Sequence, residues 1–186
     1  MTADEAVVAV LDALEAVGVP YMIVGSLASN FHGIPRSTRD ADFVVELEPG
    51  SLPRLEDALH AGLTLQRQWA CETVTGTTRY VIELVDSPFV CELFVRSDDP
   101  HDRERFTRRV CVRILDRVAF VATAEDMVVT KLRWAHEAHR SKDREDIRNI
   151  LAVRGTELDW AYLRLWSAEH GTQPLLDEIR KSIPPM

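Results

Sequence analysis

Cysteine is scarce in this sequence, and its spacing argues against two kinds of stabilised domain. The chain has three cysteines, Cys71, Cys91 and Cys111, and no Cys-x-x-Cys pair. A disulfide framework needs an even set of closely spaced cysteines, and a structural zinc site needs paired ligands. Each cysteine lies instead in an apolar, strand-like stretch. We therefore expect all three to be small core residues.

Long hydrophobic runs are also missing. No apolar run approaches the roughly 20 residues that a membrane-spanning helix needs. The N-terminus is acidic and rich in alanine, without the basic start of a signal peptide. Repeats and low-complexity tracts are absent as well. These features predict a cytoplasmic protein without a membrane partner.

Basic residues are outnumbered, but their distribution is uneven. The chain has 22 basic and 30 acidic side chains, a formal net charge of −8, which argues against a protein that coats nucleic acid. Residues 101–154 nevertheless carry 13 basic and 9 acidic side chains. Their arginine cluster, Arg103, Arg105, Arg108 and Arg109, could face phosphates. A solvated helical surface with mixed charges is an equally good explanation.

The patterning predicts one globular domain of the α/β or α+β class. Hydrophobic residues make up 46% of the 186 residues and charged residues 28%, enough for a sizeable core. Periodicity and turn residues predict helices at 3–17, 27–31, 52–61, 124–139, 142–153, 159–169 and 173–181. They predict strands at 21–24, 43–47, near 70–75, 78–85 and 89–95, and a strand pair within 110–121. We expect a core at residues 1–121, with a helical part at residues 122–186 packed on it.

Two aspartates stand at the start of the apolar stretch Phe43 to Leu47. Residues i and i+2 of a strand point to the same face, so Asp40 and Asp42 can present their oxygens side by side. Two like charges there repel each other unless a cation lies between them. Mg²⁺ prefers oxygen ligands and often bridges carboxylates and phosphates. The pair therefore suggests a metal site for a nucleotide.

A third acid, Glu92, lies within the apolar stretch "FVCELFV". Strand alternation allows it to face solvent. On a strand beside Asp40 and Asp42, it would instead complete a two-metal cluster of the kind that supports phosphoryl or nucleotidyl transfer.

The Gly25-Ser26 pair follows the first strand and precedes a helix. Backbone N–H groups at such a turn, together with the positive end of the helix dipole, form an anion site. A Gly-Ser turn is also a common helix start. Its combination with the carboxylates is what indicates a phosphate site.

The order of these elements resembles a known family. Val24-Gly25-Ser26, then thirteen residues, then Asp40-Ala41-Asp42-Phe43, is similar to the signature of the DNA polymerase β-type nucleotidyltransferase superfamily. The resemblance implies a mixed-sheet core, with Asp40, Asp42 and Glu92 as ligands of Mg²⁺ (Mn²⁺ being the alternative). It implies that Gly25 and Ser26 hold nucleotide phosphates. Ala41 stands where a larger apolar residue is usual, and Glu92 where aspartate is commoner.

Two later stretches resemble one branch of this superfamily. "GIPRSTRDADF" and "TAEDMVVTKLRWAHEAHRSKDREDIRNIL" are similar to bacterial AbiEii-type nucleotidyltransferases, which include toxins of toxin–antitoxin systems. The branch implies that Lys131 is catalytic and binds the nucleotide, together with Asp143 or Asp146. Arg36 is a further predicted phosphate ligand, the alternative being that it balances the local negative charge. The simpler explanation for Asp143 and Asp146 is a favourable position near a helix start, facing water.

The combined prediction is an enzyme that moves a nucleoside monophosphate from a nucleoside triphosphate to a hydroxyl. A tRNA end is the favoured acceptor and a protein hydroxyl the alternative, with an antitoxin protein as a further partner. A phosphatase of the haloacid dehalogenase type is disfavoured, because its Asp-x-Asp follows an apolar strand whereas Asp40 and Asp42 precede one. An inactive binding module or antitoxin-like partner with the same fold is the remaining alternative.

Overall fold

The computed structural model describes residues 1–71, 76–138 and 140–184, except for the side chain of Arg67. Its helices are α1 (Ala3–Val17), α2 (Gly25–His32), α3 (Leu52–Ala58), α4 (Pro100–Arg108), α5 (Ala124–Ala138), α6 (Ser141–Arg154), α7 (Trp160–Glu169) and α8 (Gln173–Lys181), with a 3-10 turn at Pro49–Ser51. Its strands are β1 (Tyr21–Val24), β2 (Asp40–Val45), β3 (Leu63–Cys71), β4 (Thr78–Leu84), β5 (Val90–Val95), β6 (Val110–Ile114) and β7 (Arg117–Val121).

Helix α1 forms where the sequence predicts it. Thr2 and Glu5 make a reciprocal capping box at its start, which satisfies backbone N–H groups that lack a partner within the helix. At the other end Gly18 adopts a left-handed conformation with φ 75°. The residues predicted to form its apolar face, Val7, Val10, Leu11 and Leu14, are all buried.

The strands form one mixed sheet in the order β3-β4-β5-β2-β1-β7-β6. Strand β2 is antiparallel to β1 and parallel to β5, whereas β1 is parallel to β7. The predicted antiparallel run of β3, β4 and β5 and the predicted pairing of β6 with β7 are confirmed. Fully buried side chains of the central strands, including Met22, Phe43 and Leu93, form the middle of the core.

The register of the central strands brings the predicted site together. Asp42 lies opposite Val24, the last residue of β1, and opposite Glu92 on its other side. Strand β2 begins at Asp40, three residues before the predicted start at Phe43, because its ladder with β5 already pairs Asp40 with Val90. The two aspartates are therefore part of the strand.

Helix α4 was not predicted from the sequence. The segment is highly charged, and Phe106 is its one large apolar side chain, so it lacks the recurring apolar residues by which the other helices were predicted. Its start is nevertheless well defined, because Asp99 accepts hydrogen bonds from the backbone N–H groups of His101 and Asp102 and Pro100 occupies the first turn.

Several predicted bounds are also corrected. Helix α2 begins two residues before the predicted Leu27, and α3 ends at Ala58 rather than 61. Strand β3 covers Leu63–Cys71, whereas it was predicted near 70–75. Residues 72–75 and 139, which belong to a predicted strand and helix, lie outside the described residues.

The prediction that all three cysteines are core residues is wrong for two of them. Cys91 is buried on the inner strand β5, but Cys71 and Cys111 are exposed. They lie on β3 and β6, the two outermost strands of the sheet, where one side of the backbone has no neighbouring strand.

The segment after residue 121 is helical, as predicted. Helices α5 and α6 pack against each other and against α2. None of the helices in the described ranges has the length and apolar character needed to cross a membrane. The division into a core at 1–121 and a helical part at 122–186 stays a prediction.

Candidate active site

A cleft of about 390 Å³ lies where β1, β2 and β5 meet α5. The wall that the sheet provides includes Gly25, Ser26, Asp40, Asp42 and Glu92. The opposite wall includes Lys131, Trp134, Arg140, Lys142 and Asp143. The fold thus brings most of the predicted site residues to one cavity, although they are as many as 118 residues apart in sequence, from Gly25 to Asp143.

Asp42 is the central member of the three carboxylates. It is half-buried, and its enclosure by protein raises its pKa to about 7, with further contributions from the negative charges of Asp40 and Glu92. The positive charge of Lys131 acts in the opposite direction but is outweighed. This end of the cleft is therefore short of positive charge.

The other two carboxylates have partners. Thr38 donates a hydrogen bond of 2.5 Å from Oγ1 to Asp40 Oδ1. Arg79 on β4 donates from Nη1 to Glu92 Oε1 at 2.8 Å. Arg79 was missed in the sequence because it lies thirteen residues from Glu92, and only the antiparallel pairing of β4 with β5 makes the two neighbours.

The donor set has the chemistry that a hard divalent cation requires. Its ligand atoms are carboxylate oxygens, they lie in one cleft, and Asp42 is under repulsion from two like charges that a cation would relieve. Within the described residues, no three His, Cys, Asp or Glu side chains already surround a common point as metal ligands. Glu92 is held by Arg79 instead.

Gly25 is required at its position by both backbone and packing. Its φ is +60°, and a Cβ atom there would lie 1.8 Å from Asp42 Oδ2. The turn between β1 and α2 therefore approaches the carboxylate as closely as glycine alone allows.

We expect Gly25→Ala to lower the melting temperature of the ligand-free protein by about 2–8 °C. A left-handed conformation costs a residue with a Cβ about 1–2 kcal/mol, and each kcal/mol shifts the melting temperature by about 2–4 °C in a domain of this size. Displacement of Asp42 adds to this cost. The matched control is Gly50→Ala, because a Cβ at Gly50 would have no neighbour within 4 Å. Equal melting curves for the two variants would contradict this description of the turn.

The predicted nucleotide ligands of the helical part form a buried ion-pair network. Lys131 Nζ on α5 lies 3.0 Å from Asp143 Oδ1 and 2.8 Å from Asp146 Oδ2, both on α6. Asp146 also accepts two hydrogen bonds of 2.8 Å from the guanidinium of Arg36. Although burial opposes it, these bonds from Arg36 and Lys131 hold the pKa of Asp146 below its usual value.

The network separates the two aspartates that the sequence left undecided. Lys131 and Asp143 line the cleft, whereas Arg36 and Asp146 are not among its lining residues. Asp143 is buried, and its Oδ2 has no hydrogen-bond partner in the described part of the chain. Of the two, Asp143 is therefore placed to meet a ligand in the cleft.

The arginine cluster of α4 does not form a free cationic surface. Arg103 pairs with Asp98, and Arg105 is buried against Asp102. Arg108 contacts Asp126 and lies over the Tyr162 ring at 3.9 Å. Arg109 donates to the Phe106 carbonyl oxygen. Each of the four arginines thus has a partner within the protein, and Arg105 also lines the cleft, so their proposed contact with phosphates stays a prediction.

Exposed cations occur instead on the α5–α6 side of the cleft. Arg140 is exposed, with its guanidinium 5.5 Å from the centre of the Trp134 ring. Its Nε lies 3.4 Å from Asp143 Oδ2. Lys142 is half-exposed and has no ion pair within the described residues. Sequence reasoning had no signal for Arg140 or Lys142, because their relevance depends on where the start of α6 meets the sheet.

Solved structures of nucleotidyltransferases share this fold. The solution structure of the antibiotic-resistance factor ANT(2'')-Ia is 14% identical, with a TM-score of 0.63 over 94% of both chains. An antigenic nucleotidyltransferase-like protein from Paracoccidioides brasiliensis is 16% identical, with a TM-score of 0.56 over 98% of this chain and 94% of that one. The lincomycin-bound lincosamide antibiotic adenylyltransferase LnuA is 14% identical, with a TM-score of 0.53 over 80% of this chain and 96% of that one.

No protein-family model and no curated protein matches the sequence. At these identities the structural likeness establishes the fold. It confirms the predicted α/β core with a mixed sheet of the nucleotidyltransferase type.

Proposed function

We propose that the protein is a Mg²⁺-dependent nucleotidyltransferase. It moves a nucleoside monophosphate from a nucleoside triphosphate to a hydroxyl and releases pyrophosphate. The observation that carries this proposal is the meeting of three carboxylates and a Gly-Ser turn in one cleft of a nucleotidyltransferase fold.

The predicted residues that line the cleft each have a role in this proposal. Gly25 and Ser26, at the start of α2, hold the triphosphate through backbone N–H groups and the Ser26 hydroxyl. Asp40, Asp42 and Glu92 hold Mg²⁺ (Mn²⁺ being the alternative), which neutralises phosphate charge and lowers the pKa of the acceptor hydroxyl when bound. Lys131 adds a positive charge beside the phosphates, and Asp143, whose Oδ2 accepts no hydrogen bond from the described residues, faces a substrate hydroxyl in the cleft.

The reaction itself is a displacement at the α-phosphorus. The acceptor oxygen forms the new bond to phosphorus while the bond to the bridging oxygen of the β-phosphate breaks. The acceptor loses its proton to a base at the site or to water, and pyrophosphate carries the released electron pair. The protein contributes mainly positioning and charge neutralisation, because this chemistry needs no covalent intermediate on the chain.

The proposal is tested with α-labelled nucleoside triphosphates. We expect the wild-type protein with Mg²⁺ to transfer label to an acceptor in total cellular RNA or protein, and Asp40→Ala to transfer none above background. Equal labelling by both would remove the catalytic proposal.

An inactive binding module or antitoxin-like partner is the alternative. It would be expected to lose a carboxylate or the Gly-Ser turn, yet all of them are present and line the cleft. Thermal stabilisation by a nucleoside triphosphate that needs Mg²⁺, without label transfer to any acceptor, would favour this alternative.

A tRNA end is the acceptor that we propose, with a protein hydroxyl as the alternative. The support comes from two cations that line the cleft: Lys142, which has no ion pair within the described residues, and the exposed Arg140, whose Nε lies 3.4 Å from Asp143 Oδ2. A small hydroxyl compound is the competing class, because LnuA was solved with lincomycin bound.

Charge reversal of Arg140 and Lys142 to glutamate is expected to lower RNA labelling about 100-fold or more, because each of the two lost charge-assisted phosphate contacts contributes at least about 1.5 kcal/mol. The salt dependence of RNA binding should fall as well, by about one phosphate contact per side chain. The affinity for Mg²⁺–nucleotide should change less than about twofold, because solvent-exposed charges at the edge of the cleft contribute little to binding of a ligand that they do not contact directly. The control reverses Arg54 and Arg113, two exposed arginines outside the cleft. Exclusive labelling of protein or of lincomycin would refute the tRNA acceptor and leave the transferase proposal standing.

We also propose that the protein acts as a toxin, with an antitoxin protein as its partner. This proposal rests on the AbiEii-type resemblance of "GIPRSTRDADF" and of the Lys131 to Asp146 region. It would be withdrawn if expression of the active protein without a partner left bacterial growth unaffected.

A further inference from the structure

We propose that Arg36 and Asp146 are positioning residues, which orient the Ser26 hydroxyl so that it donates into the cleft. The inference rests on the proposed nucleotidyltransferase function, because the acceptor of that hydrogen bond is a phosphate oxygen of the nucleotide. It assigns to Arg36 and Asp146 an action through Ser26 in place of direct contact with the nucleotide.

Asp146 forms the base of the arrangement. Its side chain is 3% exposed. Oδ1 accepts from Arg36 Nε at 2.8 Å, and Oδ2 accepts from Arg36 Nη2 at 2.8 Å. Lys131 Nζ also lies 2.8 Å from Oδ2. Both oxygens are thus engaged by cations of the protein, and the fork-like bidentate contact fixes the plane of the guanidinium.

Arg36 is held at its backbone as well as at its side chain. Its N–H donates to Asn30 Oδ1 at 3.0 Å, and its carbonyl oxygen accepts from Asn30 Nδ2 at 2.7 Å. Asn30 belongs to α2, the helix whose first turn contains Ser26. The loop that carries Arg36 is therefore fastened to the same helix whose hydroxyl it contacts.

The contact with Ser26 determines what its hydroxyl can do. Arg36 Nη2 donates to Ser26 Oγ at 3.0 Å. An arginine has donors only, so in this contact Oγ must be the acceptor, and the hydroxyl hydrogen remains available for another group. Ser26 is 4% exposed and lines the cleft, and the described residues provide no acceptor for that hydrogen. A phosphate oxygen in the cleft is the acceptor that would complete the arrangement.

The charges of the network make it possible to distinguish orientation of the Ser26 hydroxyl from electrostatic attraction of the triphosphate. Arg36 and Lys131 are balanced by Asp143 and Asp146, so the four groups add no net charge. If the network acted only through its field, removing the negative charge of Asp146 would tighten binding of a triphosphate. If Asp146 acts by holding Arg36 against Ser26, the same change weakens binding. The two explanations predict opposite signs.

The experiment measures the dissociation constants of ATP, GTP, CTP and UTP, each with Mg²⁺ and without an acceptor, by calorimetry. For the nucleotide that binds best, Ser26→Ala should weaken binding about tenfold, the loss expected for one hydrogen bond to a charged group. Arg36→Gln should weaken it at least as much, and adding Ser26→Ala to Arg36→Gln should cost less than about twofold more. Asp146→Asn should also weaken binding.

The matched control is Arg96→Gln. Arg96 has the same side-chain exposure as Arg36, 25%, and also donates to a carboxylate at 2.8 Å, that of Glu46, but it does not line the cleft. Its replacement should leave nucleotide binding unchanged. If Arg36→Gln does not fold, Arg36→Lys provides the same comparison, because lysine retains the charge and loses the fork that reaches Asp146 and Ser26 together.

Two results would overturn the inference alone. In the first, Ser26→Ala weakens binding by the same factor with and without Arg36, so that the two residues act independently. In the second, Asp146→Asn tightens binding. Absence of binding of all four nucleotides to the wild-type protein would instead overturn the proposed function and the inference with it.

Discussion

Replacing Asp42 with asparagine is expected to lower the rate of nucleotidyl transfer by about 1,000-fold and to stabilise the nucleotide-free protein. The rate falls because the residue is proposed to hold the cation that stabilises the transition state by several kcal/mol, and each 1.36 kcal/mol is a factor of about ten. Stability rises because the carboxylate is enclosed by protein beside Asp40 and Glu92, with only Lys131 as a compensating charge. Asparagine keeps the shape and removes the repulsion.

The two effects are measured separately. Transfer is followed with the α-labelled nucleotide, and the melting temperature is measured in the presence of a chelator. A gain of about 1 kcal/mol would raise the melting temperature by about 2–4 °C. The matched control is Asp57→Asn, an exposed aspartate of α3, which should change neither quantity. A destabilised Asp42→Asn protein would show that the three carboxylates are not under mutual repulsion, and unchanged transfer would show that Asp42 is not a ligand of the catalytic cation.

Replacing Lys131 with methionine is expected to be strongly destabilising. Lys131 is 5% exposed, and its ammonium group is the cation shared by Asp143 and Asp146. Removing one partner of a buried ion pair leaves an uncompensated charge and typically costs about 3–5 kcal/mol. The melting temperature should therefore fall by about 6–20 °C.

The loss of stability in Lys131→Met depends on the negative charges of Asp143 and Asp146, so a double variant that removes one of these charges serves as a control. Adding Asp143→Asn to Lys131→Met should recover part of the lost stability, because the second change removes a buried charge that the first left without its cation. Lys181→Met, at an exposed lysine of α8, should have almost no effect. Similar melting temperatures for Lys131→Met and Lys181→Met would mean that Arg36, Arg140 or water, rather than Lys131, compensates the two aspartates.

Four of the predicted site residues that the structure brings into one cleft have a local origin. Asp40 and Asp42 lie two residues apart on one strand, and Gly25 and Ser26 lie at a strand-to-helix turn. Strand alternation and the preference of glycine for a left-handed backbone act over a few residues, so these features can be predicted from neighbouring positions. The same holds for the helices after residue 121, where buried apolar residues such as Ile147, Ile150 and Leu151 recur at helical spacing.

Other parts of the site were decided only by tertiary structure. The sequence suggested Glu92 as a third acid, but its place beside Asp42 depends on the parallel register of β2 with β5. The contact of Arg36 with Asp146 joins residues 110 positions apart. It engages Asp146 within the protein, whereas Asp143 lines the cleft, and the sequence alone could not distinguish these two positions. The sequence offered the arginines of α4 as a phosphate-binding surface, and only the structure shows that each of them also has a partner within the protein. Composition and periodicity determine which segments form strands and helices and which side chains carry the chemistry, because these depend on local backbone preferences. Which charges meet, and which are left to face a ligand, depends on the packing of distant segments, because a charge is neutralised by its neighbours in space.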